Sequence, residues 1–406
     1  MKKNISSIGV VVLLSLFSCS KQTEKKSTVF QSNNNRINLQ LDSKSIMESD
    51  TVELFREKVF ESNKEVFLDG FLWKTKVDNE NNVYIAVQRL GKLAIYVFHP
   101  DGRLKNKVSR YGRGPGEFEY ISSMTVYKDT LLVLDTRLQK IGFFSLNDLS
   151  HIKDELIDNS KIKREGKFES LMKGRDIYVI DADHILMKFE VLSLFEPNMF
   201  TKSVSYRISN DGIINSKPIL QQDRYIMYTY KDKGNTREFG FTTPFTRNSL
   251  FTLNDKGEMF TAWSEDFLIK KYNREGIYQK SFYYPFQKSN LSLEALDLDR
   301  RRVEFIKEQG YPKTWPVLHT MEADDEGRLW IAIITDNDST YQWVVLDQED
   351  GSLLAKFTFS GKRSEISPFA STNLTIIKNG YFYNREYNYE DGIDRIVKYK
   401  IVFKER

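Results

Sequence analysis

The chain of 406 residues holds one cysteine and four histidines. A single thiol excludes an internal disulfide and any cluster or zinc site built from several cysteines. His99, His151, His184 and His319 lie far apart and form neither H-x-H nor H-E-x-x-H, so no local metal motif is present. No G-x-S-x-G occurs and no G-K-[ST] closes a phosphate loop, which removes the common signatures of serine hydrolases and P-loop nucleotide sites. A surplus of one charge is missing too. Sixty Lys and Arg face 56 Asp and Glu, a formal +4, and the bases form no block, so nothing points to nucleic acid. Neither a metal nor an organic cofactor is expected, and the chain is expected to act as a monomer.

What is present begins at the N-terminus. Lys2 and Lys3 precede an apolar run over 8–17, too short to span a bilayer as a helix, and the sole cysteine follows at Cys19. The stretch Leu16, Phe17, Ser18, Cys19 resembles a bacterial lipobox, in which the cysteine is acylated and becomes the mature N-terminus. The expected organisation is a lipoprotein signal over 1–18, a flexible polar tether over 19–36 and a folded domain over 37–406. Cleavage removes two lysines and no acid, leaving a formal charge of +2.

The folded part is rich in Phe (28) and Tyr (21) and is punctuated by Asn, Asp and Gly, an all-β composition. Three stretches align: V-D-N-E-N-N-V-Y over 77–84, L-N-D-K-G-E-M-F over 253–260 and A-D-D-E-G-R-L-W over 323–330. Each has an acid or amide (Asp78, Asn254, Asp324), a turn residue three on (Asn81, Gly257, Gly327) and an aromatic three further (Tyr84, Phe260, Trp330). That pattern predicts a hairpin whose turn needs positive φ, followed by a strand whose aromatic is buried. Turns at 98–102, 272–276 and 349–351 mark a second hairpin in each unit. Weaker copies centre on Leu132, Tyr178 and Phe382, which makes six. Four short strands occupy about 40–50 residues, the length of a propeller blade. The wide gaps between copies predict insertions over roughly 195–247 and 291–310, the second with Leu293, Leu296, Val303 and Ile306 at helical spacing. The fold expected is an all-β, six-bladed β-propeller with a short helical insertion between blades four and five. A strand over 396–403 should finish the last sheet, with 37–41 as its N-terminal partner in closing the ring.

The stretch R-Y-G-R-G-P-G-E-F-E-Y over 110–120 fails as a dinucleotide fingerprint, because Glu117 stands where the third glycine is needed and strands rather than a helix follow. Its place between copies one and two predicts a blade-to-blade crossover. With its G-x-G-P-G-E-F core over 112–118, the chain resembles the six-bladed β-propeller lipoproteins of Gram-negative gut anaerobes, related in shape to NHL-like propellers. Pro316, Asp324, Gly327 and Trp330 fit the fifth blade of that family. The resemblance implies the fold and an outer-membrane lipoprotein in the cell envelope, with the periplasmic or surface face left open. It implies no catalytic residues.

For binding, the loop arginines are the candidates. Arg110 and Arg113 flank the glycine turn, Arg137 follows Asp135, and Arg224 precedes Tyr225; such pairs suit carboxylate-bearing or sugar-like ligands. His319 is the histidine expected near the channel. The acidic run over 336–339 lacks the glycine and distal glutamate of a calcium loop and reads as a hairpin tip. The leading reading is a lipid-anchored binding or scaffold module for a glycan, peptide or envelope protein. The alternative is a propeller hydrolase or lyase, similar to lactonase or amidating-lyase propellers, with a channel metal.

Overall fold

A computed structural model describes residues 36–38, 51–66, 68, 72–89, 91–158, 172–191, 201–209, 211–225, 227–231, 238–294, 296, 298–365, 375–388 and 392–404. The signal, Cys19 and all of the tether except Arg36 lie outside the described residues. Residues Asn35–Arg406 form one compact unit.

Six blades of four antiparallel strands each, taken in chain order, make a propeller, and the sheet of blade four carries a fifth strand. Their innermost strands are Leu72–Val77, Ile121–Tyr127, Met172–Val179, Ser249–Leu253, Leu318–Ala323 and Thr375–Lys378. Blade six is completed by Val52–Phe60, paired antiparallel with Ile393–Phe403 from the other end of the domain. This corrects the expectation that 37–41 closes the ring. Arg36–Asn38 instead lies parallel to Ser281–Tyr283 on the outer edge of blade four. Val52–Phe60 escaped notice because its central residues, Glu53 to Lys58, sit on an exposed outer strand and carry no apolar alternation.

The repeated turn has a common chemistry. In blade five the Asp324 carboxylate accepts the backbone N–H groups of Glu326 (2.9 Å) and Arg328 (2.8 Å), and its other oxygen accepts the Trp330 indole N–H (2.8 Å). In blade one Asp78 does the same for Glu80, Asn82 and the Tyr84 hydroxyl. In blade four Asn254 accepts from Lys256 and Glu258. The acid therefore ties the turn to the aromatic that anchors the second strand, and Asn81, Gly257 and Gly327 supply the left-handed φ.

Tyr178 is not the blade-three equivalent of those aromatics. It belongs to the innermost strand, and the matching residue on the second strand, His184–Val191, is the fully buried Leu186. The region 195–247 is likewise not wholly an insertion: Thr201–Ser209 and Ile214–Tyr225 are the two outer strands of blade three, and the added piece is the hairpin Tyr228–Lys231 with Glu238–Phe241. The second insertion does carry a helix, Arg300–Gln309, capped by Asp299, with Ile306 buried against Trp315 and Phe245.

Burial is organised blade against blade. Six apolar clusters fill the six junctions, the largest around Trp330, Trp343, Phe357 and Phe382 between blades five and six. The smallest is between blades three and four, where Ile180, Leu186, Leu220 and Met259 are its buried members among the described residues. There the chain end of the outer strand, Tyr225, bridges to Asn248 just before the inner strand of blade four. This thinly packed junction adjoins a charged cavity.

Candidate functional site

A cavity of about 210 Å³ lies where blades one, two, three, four and five converge, lined by side chains of their inner strands and of the inner part of blade three. Its wall is rich in charged side chains. Lys74 meets Asp176 at 3.5 Å, Arg175 approaches Glu190 at 3.9 Å, and Arg224 pairs with the same Glu190, which also accepts the Tyr225 hydroxyl at 3.4 Å. Lys188 differs from these. It is 9 % exposed, it lies over the Phe251 ring at 5.0 Å, and among the described residues its ammonium has no ion-pair or hydrogen-bond partner.

Three other deeply buried lysines show what an ion-paired architectural lysine looks like here. Lys140 binds Asp154 at 2.7 Å, Lys271 lies between Glu258 (3.1 Å) and Glu349 (2.9 Å), and Lys398 reaches Glu57 at 3.3 Å. Burial of an uncompensated charge is costly, so a lone ammonium facing a cavity marks a place where something else supplies the partner. Two hydroxyls repeat the point: Ser203 Oγ and Thr75 Oγ1 are buried, line the same cavity and have no hydrogen bond.

Desolvation sets the electrostatics of this wall. It pushes the Lys188 ammonium down to about 8, opposed by Asp176, and the Arg224 guanidinium down to about 10. It also lowers Lys74. Burial pushes the Glu322 carboxyl up to about 8, against the pull of Lys76, so Glu322 is largely protonated at neutral pH. For Asp176 burial acts upward too, but Lys74, then Lys188, Arg175 and Arg224, hold its carboxyl below the usual range. With Glu322 neutral, the cavity carries five bases, Lys74, Lys76, Arg175, Lys188 and Arg224, against the carboxylates of Asp176 and Glu190. The lining is therefore net positive.

Of the arginines singled out in sequence, only Arg224 lines this cavity, stacked on Tyr225 at 4.9 Å. Arg110 and Arg113 lie on the crossover between strand Leu104–Val108 of blade one and strand Ile121–Tyr127 of blade two, as expected, and are exposed. Arg110 pairs with Glu117 at 2.6 Å and Arg113 with Glu119 at 2.5 Å. Arg110 also borders a more open groove of about 680 Å³ with Lys107 and Tyr111 beside blade one. Arg137 is exposed, with its guanidinium over Tyr120 at 5.4 Å. The crossover itself is a built corner. Gly116 has φ +67° and donates to Asp154 at 3.1 Å, Lys140 donates to the Gly114 carbonyl at 3.1 Å, and Glu117 accepts from the Gly114 N–H at 2.9 Å.

His319 is on the inner strand of blade five but is not a cavity-lining side chain. Its ring stacks on Tyr341 at 4.3 Å, and burial pushes its pKa down to about 4. His151 contacts Asp154 at 2.9 Å beside the crossover, and His184 contacts Asp181 at 2.8 Å in a turn. Among the described residues no group of three or more His, Cys, Asp or Glu is placed to hold a metal ion.

Residues 68–230 match the DUF5128 family, described as a 6-bladed beta-propeller. No curated protein matches the chain. Among solved structures, a member of the DUF4221 family from Bacteroides vulgatus is 12% identical with a TM-score of 0.50, covering 88% of this chain and 100% of its own. A Bacteroides fragilis protein described as exported is 13% identical with a TM-score of 0.46, covering 91% and 99%. At such identities the likeness concerns fold. Six blades of four antiparallel strands, together with the family match over 68–230, make this protein a six-bladed β-propeller.

Proposed function

We propose that this propeller is a non-enzymatic binding module of the bacterial cell envelope, held to the membrane by lipid at Cys19 and taking a group of its glycan, peptide or protein ligand into the cavity where blades one to five converge. The observation that carries this reading is Lys188, a buried ammonium facing the cavity without a partner among the described residues while Lys140, Lys271 and Lys398 are all paired. The lipobox-like L-F-S-C supports the anchor, and the exported Bacteroides protein of similar fold is in keeping with an envelope location.

The test has two arms. Equilibrium dialysis of the full-length protein against a library of sugars, sugar acids and peptides, read by mass spectrometry, should enrich at least one compound and return it chemically unchanged. Conversion of the compound would instead make the protein an enzyme, and enrichment of nothing would remove the binding reading. In the second arm, Cys19→Ala should shift the protein from the membrane to the soluble fraction; unchanged partitioning would remove the anchor.

A further inference from the structure

We infer that the channel cavity takes a small hydroxylated carboxylate of the sugar-acid type, with the carboxylate against Lys188 and the hydroxyls against Ser203 and Thr75. This rests on the reading of the cavity as a binding site and narrows its ligand.

Internal pairing comes first. Asp176 is engaged by Lys74, and Glu190 by Arg175 and Arg224, so the two carboxylates of the wall are already committed. Of the five bases, Lys76 and Lys188 have no ion pair among the described residues; Lys188 is the more deeply buried of the two, and a carboxylate suits a single ammonium in a half-apolar wall. Phe251 lies beneath that ammonium, and Tyr178 packs edge-on to the same ring at 4.8 Å, so the anion is shielded from water on one side. The orphaned hydroxyls of Ser203 and Thr75 each donate or accept, which suits a hydroxyl-bearing ligand rather than a bare anion. The volume sets the size. About 210 Å³ is below the roughly 300–1,000 Å³ of drug-sized sites and suits a single sugar or amino acid.

Carboxylates reach such a site as sugar acids or as free amino acids and peptide ends, and calorimetry with defined probes separates them. Glucuronate, glucose, alanine, the dipeptide Ala-Ala and inorganic phosphate are titrated into the full-length protein at pH 7. Glucuronate should bind, glucose at least tenfold more weakly, and phosphate and the amino-acid probes more weakly than glucuronate. Lys188→Met should abolish the preference for glucuronate over glucose, and Lys188→Arg should retain it. Ser203→Ala should weaken glucuronate several-fold while leaving the charge preference in place.

Glucose binding as tightly as glucuronate would overturn the carboxylate assignment while leaving a binding site. Tighter binding of Ala-Ala than of glucuronate would make the ligand a peptide end and overturn the sugar-acid assignment. Phosphate alone would make it an unspecific anion site. If dialysis enriches compounds but none of these five binds, the ligand class is wrong and the binding function stands. If neither experiment finds a ligand, both fall.

Discussion

Replacing Lys188 by Met should make the ligand-free protein more stable. In the folded state burial lowers this ammonium from 10.5 to about 8. At about 1.4 kcal/mol per pKa unit, that depression corresponds to about 3 kcal/mol held against folding at pH 7. Methionine has similar length, fills the same space beside Phe251 and carries no charge. What is lost is the ammonium–ring attraction, about 1–2 kcal/mol in a desolvated setting. The net expectation is a gain of about 1–2 kcal/mol, read from urea denaturation at pH 7. The sign is fixed by linkage. A lysine whose folded pKa lies below its unfolded value carries its full penalty below pH 8, sheds it as pH rises from about 8 to 10.5, and carries none above. The advantage of the variant should therefore shrink between pH 8 and 10.5. Lys271→Met, which breaks pairs with Glu258 and Glu349, should destabilise at pH 7 in the same assay. A Lys188→Met protein less stable than wild type by 1 kcal/mol or more at pH 7 would refute the reasoning, because it would make Lys188 a paired architectural cation.

Asp324→Ala strips acceptors from two backbone N–H groups, the Trp330 indole and the Arg328 guanidinium, and should cost about 3 kcal/mol in denaturant unfolding. Gly116→Ala places a Cβ 3.0 Å from the His151 ring in a residue at φ +67°, and should cost about 1 kcal/mol or more, whereas Arg113→Ala on the exposed side of the same corner should leave the melting temperature unchanged. Binding of a carboxylate should weaken as pH rises through about 8, because Lys188 loses its charge there and Glu322 gains one; calorimetry at pH 6.5 and 9 checks this, and constant affinity would contradict the role of Lys188.

Turn chemistry made much of the fold legible in the sequence. Asp78, Asn254 and Asp324 with their turn residues and aromatics are one mechanical unit, so their spacing reports blades directly. Blade three hid because its first turn, Ile180 to His184, has no positive-φ residue and its second strand carries Leu186 in place of an aromatic. Ring closure hid because an outer strand faces water and needs no apolar alternation. The site was harder to see. Lys74, Asp176, Lys188, Arg224 and Glu322 come from three blades and meet only in the folded ring. One local signal was available: Lys188 interrupts the apolar strand I-L-M-K-F over 185–189, where a charge has no reason to be unless a partner or a ligand meets it.

The most direct test of the channel as the ligand site is a crystal structure of the wild-type protein soaked with glucuronate. Density for the sugar acid inside the cavity, with a carboxylate oxygen about 3 Å from Lys188 Nζ, is the result expected. A cavity holding only water while the ligand lies elsewhere, such as the groove beside Arg110 and Tyr111, would contradict it.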